Sequence, residues 1–182
     1  MRIQNSEFRI QIGFRFTIGV TLMAVTIVTT AARAETIDRV LAVVAGQLIT
    51  LSDVTAAGDL GLQSADAASD PVRAILTKLI DRELVLVEVD RYAPPEPLAE
   101  AVDRDVQRVR DRFASQPAFD AALARSGIDD KHLRETIRQD LRMRAYLDQR
   151  FTTTDRRQAL VNDWMTGLRR RGDVIDLYLT GR

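Results

Sequence analysis

The stretch VLAVVAGQLITLSDV, residues Val40 to Val54, decides the architecture. Its first half is rich in β-branched residues, and a second short run, Leu48-Ile49-Thr50, follows Gly46-Gln47. Two such runs around a glycine-containing pair predict a β-hairpin. Gly46 in first place gives a type II′ turn over Gly46-Gln47, because glycine takes positive φ without a Cβ clash. The type I′ alternative puts Ala45 in the left-handed region, at about 1–2 kcal/mol. Ser52, with Thr50 as the alternative, then caps a helix to about Leu62, and Asp53 in its first turn suits the helix dipole.

Upstream of the hairpin, Arg2, Arg9 and Arg15 form a basic front, and an apolar run extends from Ile18 to Val28. Ala32 and Ala34 fit an A-x-A cleavage site, so residues 1–34 read as a secretory signal peptide. The apolar run is short against the roughly 20 residues a membrane-spanning helix needs. An uncleaved N-terminal anchor is the alternative. Residues 35–182 then form one domain, long enough to bury a core. Removing the four arginines and one glutamate of the first 34 residues from totals of 26 basic and 26 acidic leaves 22 and 25. The net charge near −3 argues against a nucleic-acid partner. With no cysteine, disulfides, thiol catalysis and thiolate metal sites are excluded, and the fold must rest on packing alone.

Downstream, a polar linker over Gln63–Asp70 leads to Asp70-Pro71, an N-cap acid followed by proline at the first helical position. The helix that follows is apolar on more than one side (Ile75, Leu76, Ile80, Leu84), which predicts a central buried helix ending at the prolines after Tyr92. Leu98, Val102, Val106, Val109 and Phe113 make one apolar stripe at helical spacing. Pro117 opens a short helix closed by Gly127, and a long one runs from about Asp130 to Arg150. Its stripe is Leu133, Ile137, Leu141 and Ala145, extended by Leu147 and Phe151. A last helix to about Arg171 precedes a strand, Val174–Leu179. A lone hairpin is marginal in water, so this strand is the expected third partner. The fold class is therefore mainly α: a multi-helix domain with a small antiparallel sheet made by an N-terminal hairpin and a C-terminal strand.

A catalytic set does not emerge. The single histidine, His132, lies in the first turn of a charged helix and reads as exposed and structural. Carboxylates alternate with arginines around Asp103-Arg104-Asp105, as expected of a solvated face with local ion pairs. No phosphate loop, His-x₃-His pair or nucleophile turn is present, and no cofactor or metal is implied. The aromatic residues fall on apolar positions, where ordinary core is the plain reading and anchors of a peptide groove the functional one.

The run RVLAVVAGQLITLSDV resembles the start of the N-terminal domain of the periplasmic chaperone SurA and related parvulin-type foldases. The segment from Arg110 to Phe151 resembles that domain's helical continuation, and WMTGLRRRGDVIDLY its closing helix and strand. The likeness extends over most of Glu35 to Leu179, with Ala45 standing where the family commonly has asparagine before glycine. Full foldases insert one or two isomerase domains of about 90 residues before the closing helix. Here only Thr152 to Asp155 separate the two helices.

The resemblance implies a chaperone module without the isomerase and without enzymatic activity. It would bind apolar or aromatic segments of unfolded exported polypeptides, including outer-membrane protein precursors, in the periplasm. A dedicated assembly factor of the cell envelope is the alternative, and a homo-oligomer is left open. The candidate peptide-binding residues are Phe113, Tyr146 and Phe151, large side chains near helix ends.

Overall fold

A computed structural model describes residues 38–152 and 155–179. The expected signal peptide, residues 1–34, lies outside them. In chain order the elements are β1 (Val40–Val44), β2 (Gln47–Thr50), α1 (Leu51–Asp59), α2 (Pro71–Tyr92), α3 (Ala99–Arg110), α4 (Gln116–Ser126), α5 (Asp130–Arg150), α6 (Arg157–Arg171) and β3 (Val174–Asp176). The sheet is antiparallel with order β2-β1-β3, so the C-terminal strand does close the N-terminal hairpin.

The hairpin turn differs from the expectation. Val44 pairs with Gln47, leaving Ala45 and Gly46 as the two-residue loop, and both have positive φ (48° and 83°). This is the type I′ pattern, whose twist matches that of the flanking strands. Two gains offset the strained alanine. Gln47 joins the ladder, and the Ala45 N–H donates to the Asp173 carbonyl at the start of β3. Ala45 itself is exposed. Ala45→Asn should therefore raise stability by about 1 kcal/mol, read as a higher urea midpoint; an unchanged or lower midpoint would show that the turn is not strained.

Leu41 is the extra residue of a bulge in β1, which turns both Leu41 and Ala42 into the core. The first helix is capped by Thr50 and not by Ser52. The Thr50 Oγ1 accepts from the Asp53 N–H, and the Asp53 carboxylate accepts from the Thr50 N–H, a reciprocal capping box. Ser52 instead donates its N–H to Asp38. The strand β3 ends three residues earlier than predicted. The Tyr178 N–H turns back to the Asp176 carboxylate, which takes the chain off the ladder.

Two apolar clusters form the core. One gathers the inner face of the sheet, α1, the length of α2, the C-terminal part of α5 and Leu168 of α6. The other lies among α3, α4 and the N-terminal half of α5, around Phe119 and Leu133. The long helix α5 crosses from one to the other. Its inward face rotates on the way, so Tyr146 is buried where Ala145, on the expected stripe, is exposed. As predicted, α2 is the central helix, started by the Asp70 carboxylate accepting from the Arg73 N–H and closed by Ala93 in the left-handed region. The carboxylates of α3 are held across helices as well as locally: Asp103 by Arg134 and Asp105 by Arg144, both from α5.

Candidate functional site

The C-terminal ends of α2 and α5 and the middle of α6 bring four aromatic rings together. Tyr92 stacks on Tyr146 at 5.6 Å between centroids, and Trp164 lies 6.1 Å from Tyr146 and 5.6 Å from Phe151. Exposed Arg150 lies within 5.5–5.9 Å of the centroids of Trp164, Phe151 and Tyr146. Such cation–π contacts contribute about 0.5–1 kcal/mol each at open sites. Tyr146 is the floor, 4% exposed, whereas Tyr92 is 58% exposed and Phe151 and Trp164 are half-buried.

The Tyr146 hydroxyl and the Trp164 Nε1 are buried and have no hydrogen-bond partner among the described residues. Arg150 attracts the hydroxyl without reaching hydrogen-bond geometry, and burial pushes that hydroxyl's ionisation above the usual tyrosine range. Buried donors left unpaired are costly, and because neither atom has surface open to solvent, a ligand's carbonyl oxygen would meet them only if the covering rings part. Two of the three candidate residues, Tyr146 and Phe151, thus share one site. Phe113 does not join them. It is half-buried in the other cluster, edge-on to Phe119 at 5.5 Å, and serves the α3–α4 packing.

The helices α2, α5 and α6 also leave between them a groove of about 380 Å³, lined by none of the four rings. Val85, Met143, Leu147 and Met165 line it, with Asp81 and Arg169 paired at its edge. Methionine floors adapt to varied apolar shapes.

A second concavity, of about 230 Å³, lies between β2, α1, α2 and α5. Arg82, with its side chain 9% exposed, is its most committed polar group. It donates from Nε to Asp140 at 2.9 Å, from one terminal nitrogen to Glu83 at 2.8 Å, and from the other to the Thr136 carbonyl and Gln139. Burial raises the Glu83 carboxyl above its ordinary range. Arg82 partly offsets this, while the negative charges of Asp53 and Asp140 add to it. A perturbed carboxyl in a cleft marks a candidate site. The sequence reading missed it, because Arg82-Glu83 stands among other charges of the same helix (Arg73, Lys78, Asp81, Glu88, Asp90 and Arg91) and nothing in the sequence sets the pair apart.

His132 sits exposed at the rim of this cavity, its N–H donating to Asp129 as part of the α5 cap. Among the described residues no group of three or more histidine or acidic side chains is placed to hold a metal ion. Nor is any described helix long and apolar enough to cross a membrane. No protein-family model matches the chain, and no characterised relative matches it either.

Proposed function

We propose that this chain is a periplasmic, ATP-independent chaperone-like module without prolyl isomerase activity. It binds apolar and aromatic segments of unfolded exported proteins, outer-membrane β-barrel precursors among them. The observation that carries this reading is the half-open aromatic cluster of Tyr92, Tyr146, Phe151 and Trp164; a methionine-lined groove lies between the same three helices. Rings supply non-directional apolar contact, and the two covered donors suit the carbonyls of an extended backbone once the rings part.

In the test, the purified protein at a few-fold excess should suppress aggregation of an unfolded β-barrel protein diluted from urea. Tyr92→Ala combined with Trp164→Ala should remove most of that protection while leaving the fold intact by circular dichroism. Trp164 is the only tryptophan, so its emission in the unmodified protein should shift as clients bind. No protection at stoichiometric excess, and no change in emission, would sink the reading.

One feature favours the alternative of a dedicated assembly factor. Leu48 (59% exposed), Val43 and Ile175 (54% exposed) form an apolar row across all three strands on the outer face of the sheet. A flat patch of this kind suits one fixed partner. Crosslinking in the native envelope separates the two, since a chaperone gives many products and an assembly factor one saturable product.

A further inference from the structure

The aromatic cluster holds one positive charge that no described residue neutralises. We propose that it takes a carboxylate carried beside an apolar side chain, either the free C-terminus of a bound polypeptide or an acidic residue within it, with Arg150 as the counter-charge. The proposal rests on the polypeptide-binding reading only for the source of that carboxylate.

Arg150 stands apart within its own helix. The other arginines of α5, namely Arg134, Arg138, Arg142 and Arg144, each pair with a carboxylate. Arg150 is exposed, and among the described residues it makes neither an ion pair nor a hydrogen bond. Acids on the neighbouring turns are committed elsewhere: Asp148 to Arg157, Asp90 to Arg142, and Glu88 to Arg91 and Arg171. What surrounds the Arg150 guanidinium instead is the set of rings of Tyr146, Phe151 and Trp164. Ring contacts draw on its charge and leave its five N–H donors without an acceptor.

The polar atoms among the rings ask for the same kind of partner. The Trp164 Nε1 can only donate, as can a guanidinium, and the Tyr146 hydroxyl has no acceptor among the described residues. All three groups lack an oxygen. Tyr146 is 4% exposed, but Tyr92, stacked on it, is 58% exposed and is the last residue of α2. Of the four rings it is the one most free to swing into solvent. A carboxylate held first at the surface by Arg150 would reach the covered donors as that ring moves off. A neutral carbonyl could meet those donors but would leave the guanidinium charge unmatched. A phosphate group carries about 1.5–2 charges, more than one guanidinium neutralises. The monoanionic carboxylate fits the charge, and the ring faces take the apolar side chain next to it.

Two pairs of short aromatic peptides test the proposal: a C-terminal acid against its amide, and two amides that differ only in an internal glutamate or glutamine. Emission of Trp164, the only tryptophan, reports affinity, and the resonance of its indole N–H reports the covered donor. At least one carboxylate peptide should bind about tenfold more tightly than its neutral twin. The preference should fade at high salt, and Arg150→Gln should bring the ratio close to one. The indole N–H should move downfield with the preferred carboxylate peptide and not with its twin. A preference in the first pair alone assigns the site to chain ends, in the second alone to acidic side chains, and in both to either. Equal affinity within both pairs, or a preference that survives Arg150→Gln, would overturn the proposal. N-acetylphenylalanine and its amide keep the two readings apart. If no peptide binds while the acid alone moves the indole N–H, and Arg150→Gln abolishes that response, the carboxylate site stands and the polypeptide-binding reading fails.

Discussion

Replacing Arg82 by leucine should destabilise the fold by about 3–5 kcal/mol, the usual cost of removing one partner from a buried charge network. The guanidinium neutralises Glu83 and Asp140 and ties α2 to the α5 backbone through the Thr136 carbonyl. Leucine would fill part of the volume but leave those carboxylates facing Asp53 without their cation. Arg82→Lys should recover only part of the loss, because an ammonium cannot reproduce the planar fork. Urea denaturation measures both, and a leucine variant as stable as the parent would show that the network carries no net stability.

The same variant has a pH signature. In the folded protein burial lifts the Glu83 carboxyl above its ordinary value of 4.5. The folded state therefore holds that proton more tightly than the unfolded chain does. Its contribution to stability is complete below the unfolded-state value and is lost as the pH rises through the folded-state value. Without Arg82 the lift should grow, so the penalty of Arg82→Leu should shrink as the pH is lowered toward 4.5. Glu83→Gln, which removes the charge and keeps an acceptor for Arg82, should be neutral or stabilising at pH 7.

Deleting every residue after Gly172 should also be costly, by about 3–5 kcal/mol. The estimate takes about 1 kcal/mol for each backbone hydrogen bond lost and about 1.5–3 kcal/mol for a large apolar side chain re-exposed. The deletion removes the partner of β1 along Ala42, Val43 and Val44, and with it the bonds from Ala45 to Asp173 and from Leu177 to Leu41. It also removes Tyr178, whose hydroxyl donates to the Asp70 carboxylate at the start of α2. Leu41, Ala42 and Val44, all fully buried, would lose cover. Unchanged thermal melting would mean that the hairpin and helices hold together without the third strand.

What could be read in advance was local. Asp70-Pro71 starts α2, and Gly127 ends α4 in the left-handed region, because caps and breakers act within a few residues. The third strand was legible because a two-stranded hairpin needs a partner and the chain offers one other strand. The misreadings at Ala45 and Ala145 concern choices made by distant neighbours. Asp173 and the Gln47 pairing settle the turn, and the passage of α5 between two clusters settles which of Ala145 and Tyr146 faces inward. The grouping of Tyr146 with Phe151, and the exclusion of Phe113, needed the positions of Tyr92 and Trp164. The cavity was hidden for the same reason: Asp53, Glu83 and Asp140 come from three separate helices.

The strand order has a consequence for how the molecule is made. Of the described elements, β1 leaves the ribosome first and β3 last. One edge of β1 therefore stays unpaired while all six helices are synthesised, and an open strand edge is a template for foreign pairing. Helices can form as they emerge, but the sheet can be completed only once β3 has been made. Synthesis that stalls before Val174 should accordingly leave a helical, sticky intermediate, and quality control would meet this protein chiefly in that state.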